Sequence, residues 1–162
     1  MLLVIDCCLR GDDSATRAYY QAYLRIAGEQ DIQIVELDKL CLMPLDGEAL
    51  WERDSLIRAQ DFGREQFLLA RQFREADELL VAAPFWDLSF PSLLKVYLEQ
   101  VTVNGLTFGY DEQGNNVGLC KAGKLLLITT WGGNFSLPET AWMEMGARQL
   151  EALCAMYGIP SF

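Results

Sequence analysis

Short apolar runs alternate along the chain with longer segments in which apolar residues recur at helical spacing. Four runs are short enough to be strands and are bounded by polar or glycine-containing segments; they cover residues 2–7, 32–35, 79–83 and 124–130. The run at 32–35 includes a polar position and is expected nearer an edge, whereas the other three are expected to be buried on both faces. Strands alternating with helices predict a parallel sheet that is covered by helices on both sides.

Four helical segments follow these runs. They are predicted over residues 14–27, over 47–76 with an interruption near 61–63, from Pro91 onward, and over 138–156. Ser14 is suited to cap the first helix and Gly28 to close it. Pro91 suits a first helical turn, because the N–H that proline lacks would have no partner there. Gly158 is expected to end the fourth helix.

An excursion interrupts this alternation after the third helix. Residues 106–110, a turn at 114–116 and a return to Leu119 predict a β-hairpin between residues 103 and 124. Residues 159–162 look like the entry to a strand that the chain does not complete. The predicted fold is α/β, a doubly wound parallel sheet of order 2-1-3-4 with a fifth strand missing or incomplete.

Composition limits the classes of partner. A chain of 162 residues is expected to form a single domain, residues 1–162. No run of 18 apolar residues occurs, and the apolar start lacks a basic region, so neither a membrane span nor a signal peptide is predicted. The net charge of −10 argues against nucleic acid or an anionic membrane as partner. A cytoplasmic location is expected.

The titratable residues restrict the chemistry. The chain contains no histidine, which excludes Ser-His-Asp and Cys-His catalysis and histidine-ligated metal within it. Its five cysteines are irregularly spaced without a CxxC pair, so no metal site and no disulfide framework is predicted. The adjacent Cys7 and Cys8 could form a redox pair, but free thiols at a strand end are favoured. An enzyme of this composition needs a cofactor that carries the reaction itself.

Three loops at strand ends are expected to share one rim of the sheet: residues 8–16, 84–88 and 130–133. The first leads into a helix N-terminus, where free N–H groups and the helix dipole favour a phosphate. Ser14 and Thr16 offer hydroxyl groups there, and either Arg10 or Arg17 could add a charge-assisted bond. Asp12 and Asp13 must face solvent if a phosphate binds.

The other two loops suit a flat ring. Phe85 and Trp86 follow Pro84 in the second loop, and Gly132-Gly133 in the third would let a planar ring approach the backbone. Each feature alone has an ordinary structural explanation, as a core aromatic or a plain turn. Together the three loops predict a mononucleotide site. The G-x-G-x-x-G and G-x-x-x-x-G-K-[ST] patterns do not occur, so a dinucleotide or P-loop site is not supported.

Four segments carry a resemblance to a known family; in order they read LLVIDCCLRGDDSATR, VAAPFWDLSFPSLLKVYLEQV, TFGYDEQGNNVGLCKAGK and LLLITTWGGNF. Over nearly its whole length the chain resembles the flavodoxin-like quinone reductases and FMN-dependent NADH azoreductases. The second and third segments are the more specific, since a proline–aromatic loop followed by this hairpin is typical of the family. The resemblance implies a flavodoxin-like fold, FMN as cofactor and NAD(P)H as electron donor.

The resemblance also implies roles for particular residues. The FMN-binding set, completed by Arg10 from the first loop, is Cys8, Arg10, Ser14, Ala15, Thr16, Phe85, Trp86, Asp87, Leu88, Thr130, Trp131, Gly132 and Gly133. Trp86, Trp131 and Tyr110 would shape the substrate pocket, and no residue is assigned as catalytic acid or base. Family members are usually homodimers in which the hairpin near Tyr110 contributes to the partner's active site.

Three departures from the family pattern stand out. Cys8 replaces a hydroxyl donor, and Asp87 stands where azoreductases often carry asparagine. A carboxylate near the flavin would lower its reduction potential, because it disfavours the anionic hydroquinone. The family also continues through a fifth strand and a final helix, which are not found in this sequence. Either the sequence is a piece of a longer chain, or the protein is a shortened member with an altered edge.

Three functions remain open at this point. The leading hypothesis is an enzyme that reduces quinones, azo or nitro compounds with NAD(P)H by ping-pong hydride transfer on FMN, acting on a small-molecule acceptor. A flavodoxin-like electron carrier fits the acidic charge, although the loop RGDDSAT is unlike a flavodoxin phosphate loop. A flavin-free binding protein on the same fold is the third, because fold alone does not decide function.

Overall fold

The computed structural model describes residues 1–28 and 31–162. It contains six strands, β1 (Leu2–Asp6), β2 (Ile32–Glu36), β3 (Glu78–Ala82), β4 (Phe108–Tyr110), β5 (Asn116–Gly118) and β6 (Lys124–Ile128). The five α-helices are α1 (Ala15–Ala27), α2 (Gly47–Arg58), α3 (Leu68–Glu75), α4 (Ser92–Val101) and α5 (Gly146–Tyr157). No helix in these ranges is both long and apolar enough to cross a membrane.

Four parallel strands form the central sheet in the order β2-β1-β3-β6. Leu80 of β3 lies opposite Val4 of β1 on one side and Leu126 of β6 on the other. The predicted order 2-1-3-4 is confirmed, with β6 as the fourth strand of the sheet. All four strands therefore end at the same rim.

The two faces of the sheet bury alternate residues, as a period of two requires. Leu3 and Val81 pack into the larger core, together with Phe73 of α3 and Tyr97 of α4. Val4 and its neighbours on the other face pack against α1. Helices therefore cover both faces of the sheet, and a ligand can reach the sheet at the rim where its strands end.

The outer strands differ from the inner pair in burial. The prediction that β2 lies at an edge is confirmed, because Gln33 and Ile34 are exposed. The prediction that β6 is fully buried is wrong: Leu125 is buried, but Leu126 to Ile128 are only half-buried. The reason is that β6 is the other edge strand, where the backbone N of Leu125 donates to the Ser161 carbonyl at 2.9 Å. This bond joins residues 159–162 to β6, although those residues form no strand, so their interpretation as a strand entry stays a prediction.

Several helix boundaries depend on side chains. The cap at Ser14 is confirmed, and Gly158 ends α5 in the left-handed region with φ +78°. The predicted helix 138–156 is wrong at its start, because α5 begins at Gly146 after a single turn at Ala141–Met143. Glu144 fixes that start, since its carboxylate accepts from the backbone N of Ala147 at 3.1 Å.

The predicted interruption of the helix at 47–76 is confirmed and is wider than expected, because residues 59–67 separate α2 from α3. Gln60 adopts φ +54°, which an α-helix does not allow. The Arg71 guanidinium then donates to the carbonyls of Phe62 and Arg64, the latter at 2.8 Å. The connection is therefore held by an arginine rather than by further helical turns.

The hairpin of β4 and β5 turns earlier than predicted. Its turn covers residues 111–115, because the Asp111 carboxylate accepts from the backbone N of Gln113 and of Asn115. The hairpin also lies against the end of α5, where a Cβ built on Gly118 would come within 2.1 Å of the Gly158 nitrogen. A glycine is required at this contact.

Candidate functional site

The loops after β1, β3 and β6 surround one cavity of about 350 Å³ at the rim of the sheet. The first loop contributes Arg10, Asp13, Ser14, Ala15 and Thr16; the second contributes Pro84, Phe85 and Trp86; the third contributes Thr130, Trp131 and Gly132. The volume lies in the ordinary range of small-molecule sites. Three loops that are far apart in sequence therefore meet as predicted.

Backbone N–H groups are available where the first loop enters α1. The Ser14 hydroxyl caps the helix by accepting from the backbone N of Arg17 at 3.3 Å. Among the residues that the structure describes, no acceptor bonds the backbone N of Ala15 or Thr16. Free N–H groups at the start of a 13-residue helix favour an anion.

A buried carboxylate holds the first loop through hydrogen bonds. Asp6 is the last residue of β1, and its side chain accepts from the backbone N of Cys8 at 2.8 Å and from the Tyr20 hydroxyl at 2.7 Å. The Nη2 of Arg17 lies 2.8 Å from the Asp6 carboxylate. This contact is an ion pair without an aligned hydrogen bond, because Nη2 has no acceptor in good geometry. Arg17 therefore pairs with a buried residue beneath the first loop, and Arg10 is the arginine that lines the cavity.

Cys8 does not line the cavity. Its thiol is 1% exposed and contacts the Ala82 carbonyl at 3.7 Å. Burial raises the pKa of the Cys8 thiol to about 12, as it does for Cys7. Both cysteines are free thiols, which confirms the interpretation favoured from the sequence. Neither is ionised near neutral pH, so neither supplies a nucleophile.

Aromatic rings form a wall of the cavity. The backbone N of Phe85 donates to the Thr130 carbonyl at 3.0 Å, which extends the β3–β6 pairing into both loops. The Phe85 ring contacts Trp131 edge to face at a centroid distance of 6.2 Å and Phe135 at 4.7 Å. Trp86 and Trp131 remain partly exposed at the cavity mouth. This end suits a flat conjugated group.

The second loop continues into a tight turn at residues 86–89. Trp86 and Ser89 exchange two backbone hydrogen bonds, of 3.1 and 2.8 Å. Asp87 and Leu88 between them have φ +49° and +66°, the left-handed conformation of a type I′ turn. Both side chains are exposed and do not line the cavity. The turn is held from outside, because the Leu88 carbonyl accepts from the backbone N of Met145 at 3.0 Å.

The two glycines of the third loop have different environments. A Cβ built on Gly132 would meet nothing within 4 Å, so this glycine leaves open space beside the cavity. A Cβ on Gly133 would lie 2.9 Å from the Phe135 ring. Gly132 therefore lines the cavity, whereas Gly133 makes room for an aromatic side chain of the protein itself.

The other residues predicted for the site differ in whether they line the cavity. Tyr110 is exposed in the hairpin and does not line the cavity. Asp12 and Asp13 are both exposed, as a phosphate site requires, yet Asp13 lies on the cavity wall. Sequence reasoning did not identify Phe135 at the aromatic wall; an aromatic residue two positions after a glycine pair was the available signal.

The cavity combines an anion-binding end with an aromatic end. Free N–H groups of α1 and Arg10 provide the first, and Phe85, Trp86 and Trp131 provide the second. Among the described residues that line the cavity, Arg10 and Asp13 are the ones with a charged side chain. The arrangement can bind and orient a flat, anionic ligand that carries its own chemistry.

Comparisons with known proteins agree with this architecture. A family model described as flavodoxin-like fold matches residues 1–162. The chain is 43% identical over 105 residues to FMN-dependent NADH:quinone oxidoreductase 2 of Clostridium acetobutylicum, which covers 64% of this chain and 52% of that protein. It is 31% identical over 159 residues to an FMN-dependent NADH:quinone oxidoreductase of Bacillus pumilus, covering 92% of this chain and 75% of that protein.

The fold is shared with solved structures. An FMN-dependent NADH-azoreductase from Bacillus anthracis, in complex with FMN, superposes with a TM-score of 0.83 at 23% identity, over 98% of this chain and 82% of that one. The chain spans about half the length of the first curated relatives that it matches. The match of the family model to the whole sequence, together with the relative from B. pumilus, shows that the chain belongs to the flavodoxin-like fold family.

Proposed function

We propose that the protein is an FMN-dependent NAD(P)H oxidoreductase that reduces quinones, azo or nitro compounds. The observation that carries this proposal is the cavity itself, because its lining combines the N-terminus of α1 with an aromatic wall at the strand ends. Relatives named FMN-dependent NADH:quinone oxidoreductases support the proposal.

The donor set fits FMN. The exposed N–H group of Ala15 and the Arg10 side chain would hold the phosphate. Phe85, Trp86 and Trp131 would contact the ring, and Gly132 leaves the space that a ring needs at the third loop. Asp13 is the one carboxylate on the cavity wall, and its charge opposes the phosphate.

FMN supplies the redox chemistry when bound, because it can take a hydride from NAD(P)H and deliver it to an acceptor in two successive half-reactions. The residues of this chain bind and orient. Trp86 and Trp131, both partly exposed at the mouth, would stack against the nicotinamide and then the acceptor in turn. No protein acid or base is needed, in keeping with a sequence that contains no histidine.

The assembly and location belong to the same proposal. We expect a cytoplasmic homodimer in which Tyr110 of the hairpin reaches the partner's cavity mouth. Tyr110 is 63% exposed and lies outside the cavity of its own chain, as such a role requires. Its ring packs edge to face on Phe108 at 5.7 Å, which gives it a fixed direction.

Steady-state oxidation of NADH by FMN-loaded protein, with a soluble quinone as acceptor, tests the activity. An enzyme turns over repeatedly, and parallel initial-rate lines at varied quinone indicate the ping-pong order. A protein that retains FMN but oxidises NADH no faster than free FMN would be an electron carrier. A protein that retains no FMN would be the flavin-free alternative.

A further inference from the structure

Two threonine hydroxyls meet between the first and third loops. The Oγ1 of Thr16, in the first turn of α1, lies 2.7 Å from the Oγ1 of Thr130, two residues beyond the end of β6. Among the residues that the structure describes, neither hydroxyl has another hydrogen-bond partner. The pair contains two hydroxyl hydrogens, and its mutual bond uses one of them.

Burial decides which hydrogen is used. Thr16 is 0% exposed, so its hydrogen has no water to bond and must be directed at Thr130. Thr130 is half-buried and lines the cavity. Its own hydrogen is therefore the spare one and can bond a ligand in the cavity. An accepted hydrogen bond also polarises the Thr130 hydroxyl, which makes it a better donor.

The position of Thr130 points to the anion-binding end. Its oxygen is one hydrogen bond away from Thr16, whose backbone N is free at the start of α1. Its backbone is held as well, because the Thr130 carbonyl accepts from the backbone N of Phe85 at 3.0 Å. The donor is thus fixed in place before a ligand arrives.

We propose that Thr130 donates its hydroxyl hydrogen to the phosphate of FMN, and that Thr16 is the positioning residue that orients it. This assignment differs from the expectation from the sequence, in which the loop at 130–133 approaches a flat ring. It rests on the proposed function, because it requires that the cavity holds FMN. The third loop then contacts both ends of the ligand, because Thr130 binds the phosphate and Trp131 contacts the ring.

The test compares FMN with riboflavin, which has the same ring and no phosphate. Dissociation constants of the apoprotein for both are measured by quenching of flavin fluorescence, for the wild type, Thr130→Val and Thr130→Ser. Thr129→Val is the matched control, because Thr129 lines a neighbouring groove rather than the cavity. Thermal unfolding establishes that each variant is folded.

Thr130→Val is expected to weaken FMN binding about 10-fold or more, the effect of one hydrogen bond to a charged group. Riboflavin binding should change by less than about 3-fold, and Thr130→Ser and Thr129→Val should bind both flavins like the wild type. Equal losses for FMN and riboflavin would place Thr130 at the ring and overturn the inference. Unchanged FMN binding in Thr130→Val would overturn it too. A wild type that binds neither flavin would overturn the proposed function itself.

Discussion

The hydroxyl of Tyr20 donates a hydrogen bond of 2.7 Å to the buried carboxylate of Asp6. The same carboxylate accepts from the backbone N of Cys8 and pairs with Arg17. The end of β1, the loop and the first turns of α1 are thus held by one charged group. A change at Tyr20 should therefore affect both the fold and the anion-binding end of the cavity.

Tyr20→Phe is expected to lower the free energy of unfolding by about 1–3 kcal/mol, because a hydrogen bond to a buried charge is lost. It should also weaken FMN binding, since the first loop loses one of its supports. Urea unfolding and FMN titration measure the two effects. Tyr19→Phe is the control, because Tyr19 is 64% exposed and the hydrogen bond to Asp6 comes from Tyr20. Equal stability of Tyr20→Phe and the wild type would contradict this role for Asp6.

Buried thiols predict how stability depends on pH. Burial raises the pKa of Cys7 and Cys8 from 9.0 to about 12, and the pKa of Tyr20 is raised by burial and by its bond to Asp6. Above pH 9 the unfolded chain releases thiol protons that the folded protein still holds. The stabilisation is complete below pH 9 and is lost as the pH rises towards 12.

Urea unfolding at pH 8, 10 and 11 would measure this loss, which approaches about 1.4 kcal/mol per pH unit for each buried thiol between its two pKa values. Cys7→Ala should show a shallower decline than the wild type. Cys41→Ala should decline like the wild type, because Cys41 is exposed. A decline that is equally steep in both variants would contradict the assignment.

The contact between Gly118 and Gly158 joins the hairpin to α5. Gly118→Ala should destabilise the protein by about 1–3 kcal/mol, the usual cost of overpacking, because the new methyl group would overlap the Gly158 backbone. Gly123→Ala is the control, since a Cβ there meets nothing within 4 Å. Thermal or urea unfolding compares them, and equal stabilities would show that the hairpin does not pack as described.

Asp13 is the carboxylate on the cavity wall, and its removal should help an anionic ligand. Asp13→Asn is expected to tighten FMN binding about 3-fold at low salt and less at high salt, as for a partly screened charge. Asp12→Asn, a change of the same charge next to the cavity, serves as control. Riboflavin binding should be unaffected by either substitution. An Asp13→Asn protein with weaker FMN binding would place the phosphate elsewhere.

Local signals predicted most of the architecture. Continuous apolar runs identified β1, β3 and β6, and the caps at Ser14 and Gly158 lie where their residue types indicated. The meeting of the three loops followed from strand order alone, because parallel strands end at one rim.

Contacts between residues that are far apart in the sequence could not be predicted from such local patterns. The start of α5 depends on the Glu144 carboxylate, and the half-buried state of β6 depends on what lies at its edge. The space beside Gly133 is filled by Phe135, which a glycine pair alone cannot reveal. The choice between Arg10 and Arg17 also required the structure, since only the buried position of Asp6 removes Arg17 from the cavity.

An FMN titration of the wild type and of two glycine variants tests whether this cavity is the FMN site. Gly132→Val would place a side chain in the open space at the cavity, and Gly123→Val adds one in open space elsewhere. We predict one FMN per chain in the wild type and in Gly123→Val, and affinity lower by about 10-fold or more in Gly132→Val, as a filled site requires. A wild type without FMN binding, or a Gly132→Val protein that binds FMN equally well, would show that this cavity is not an FMN site.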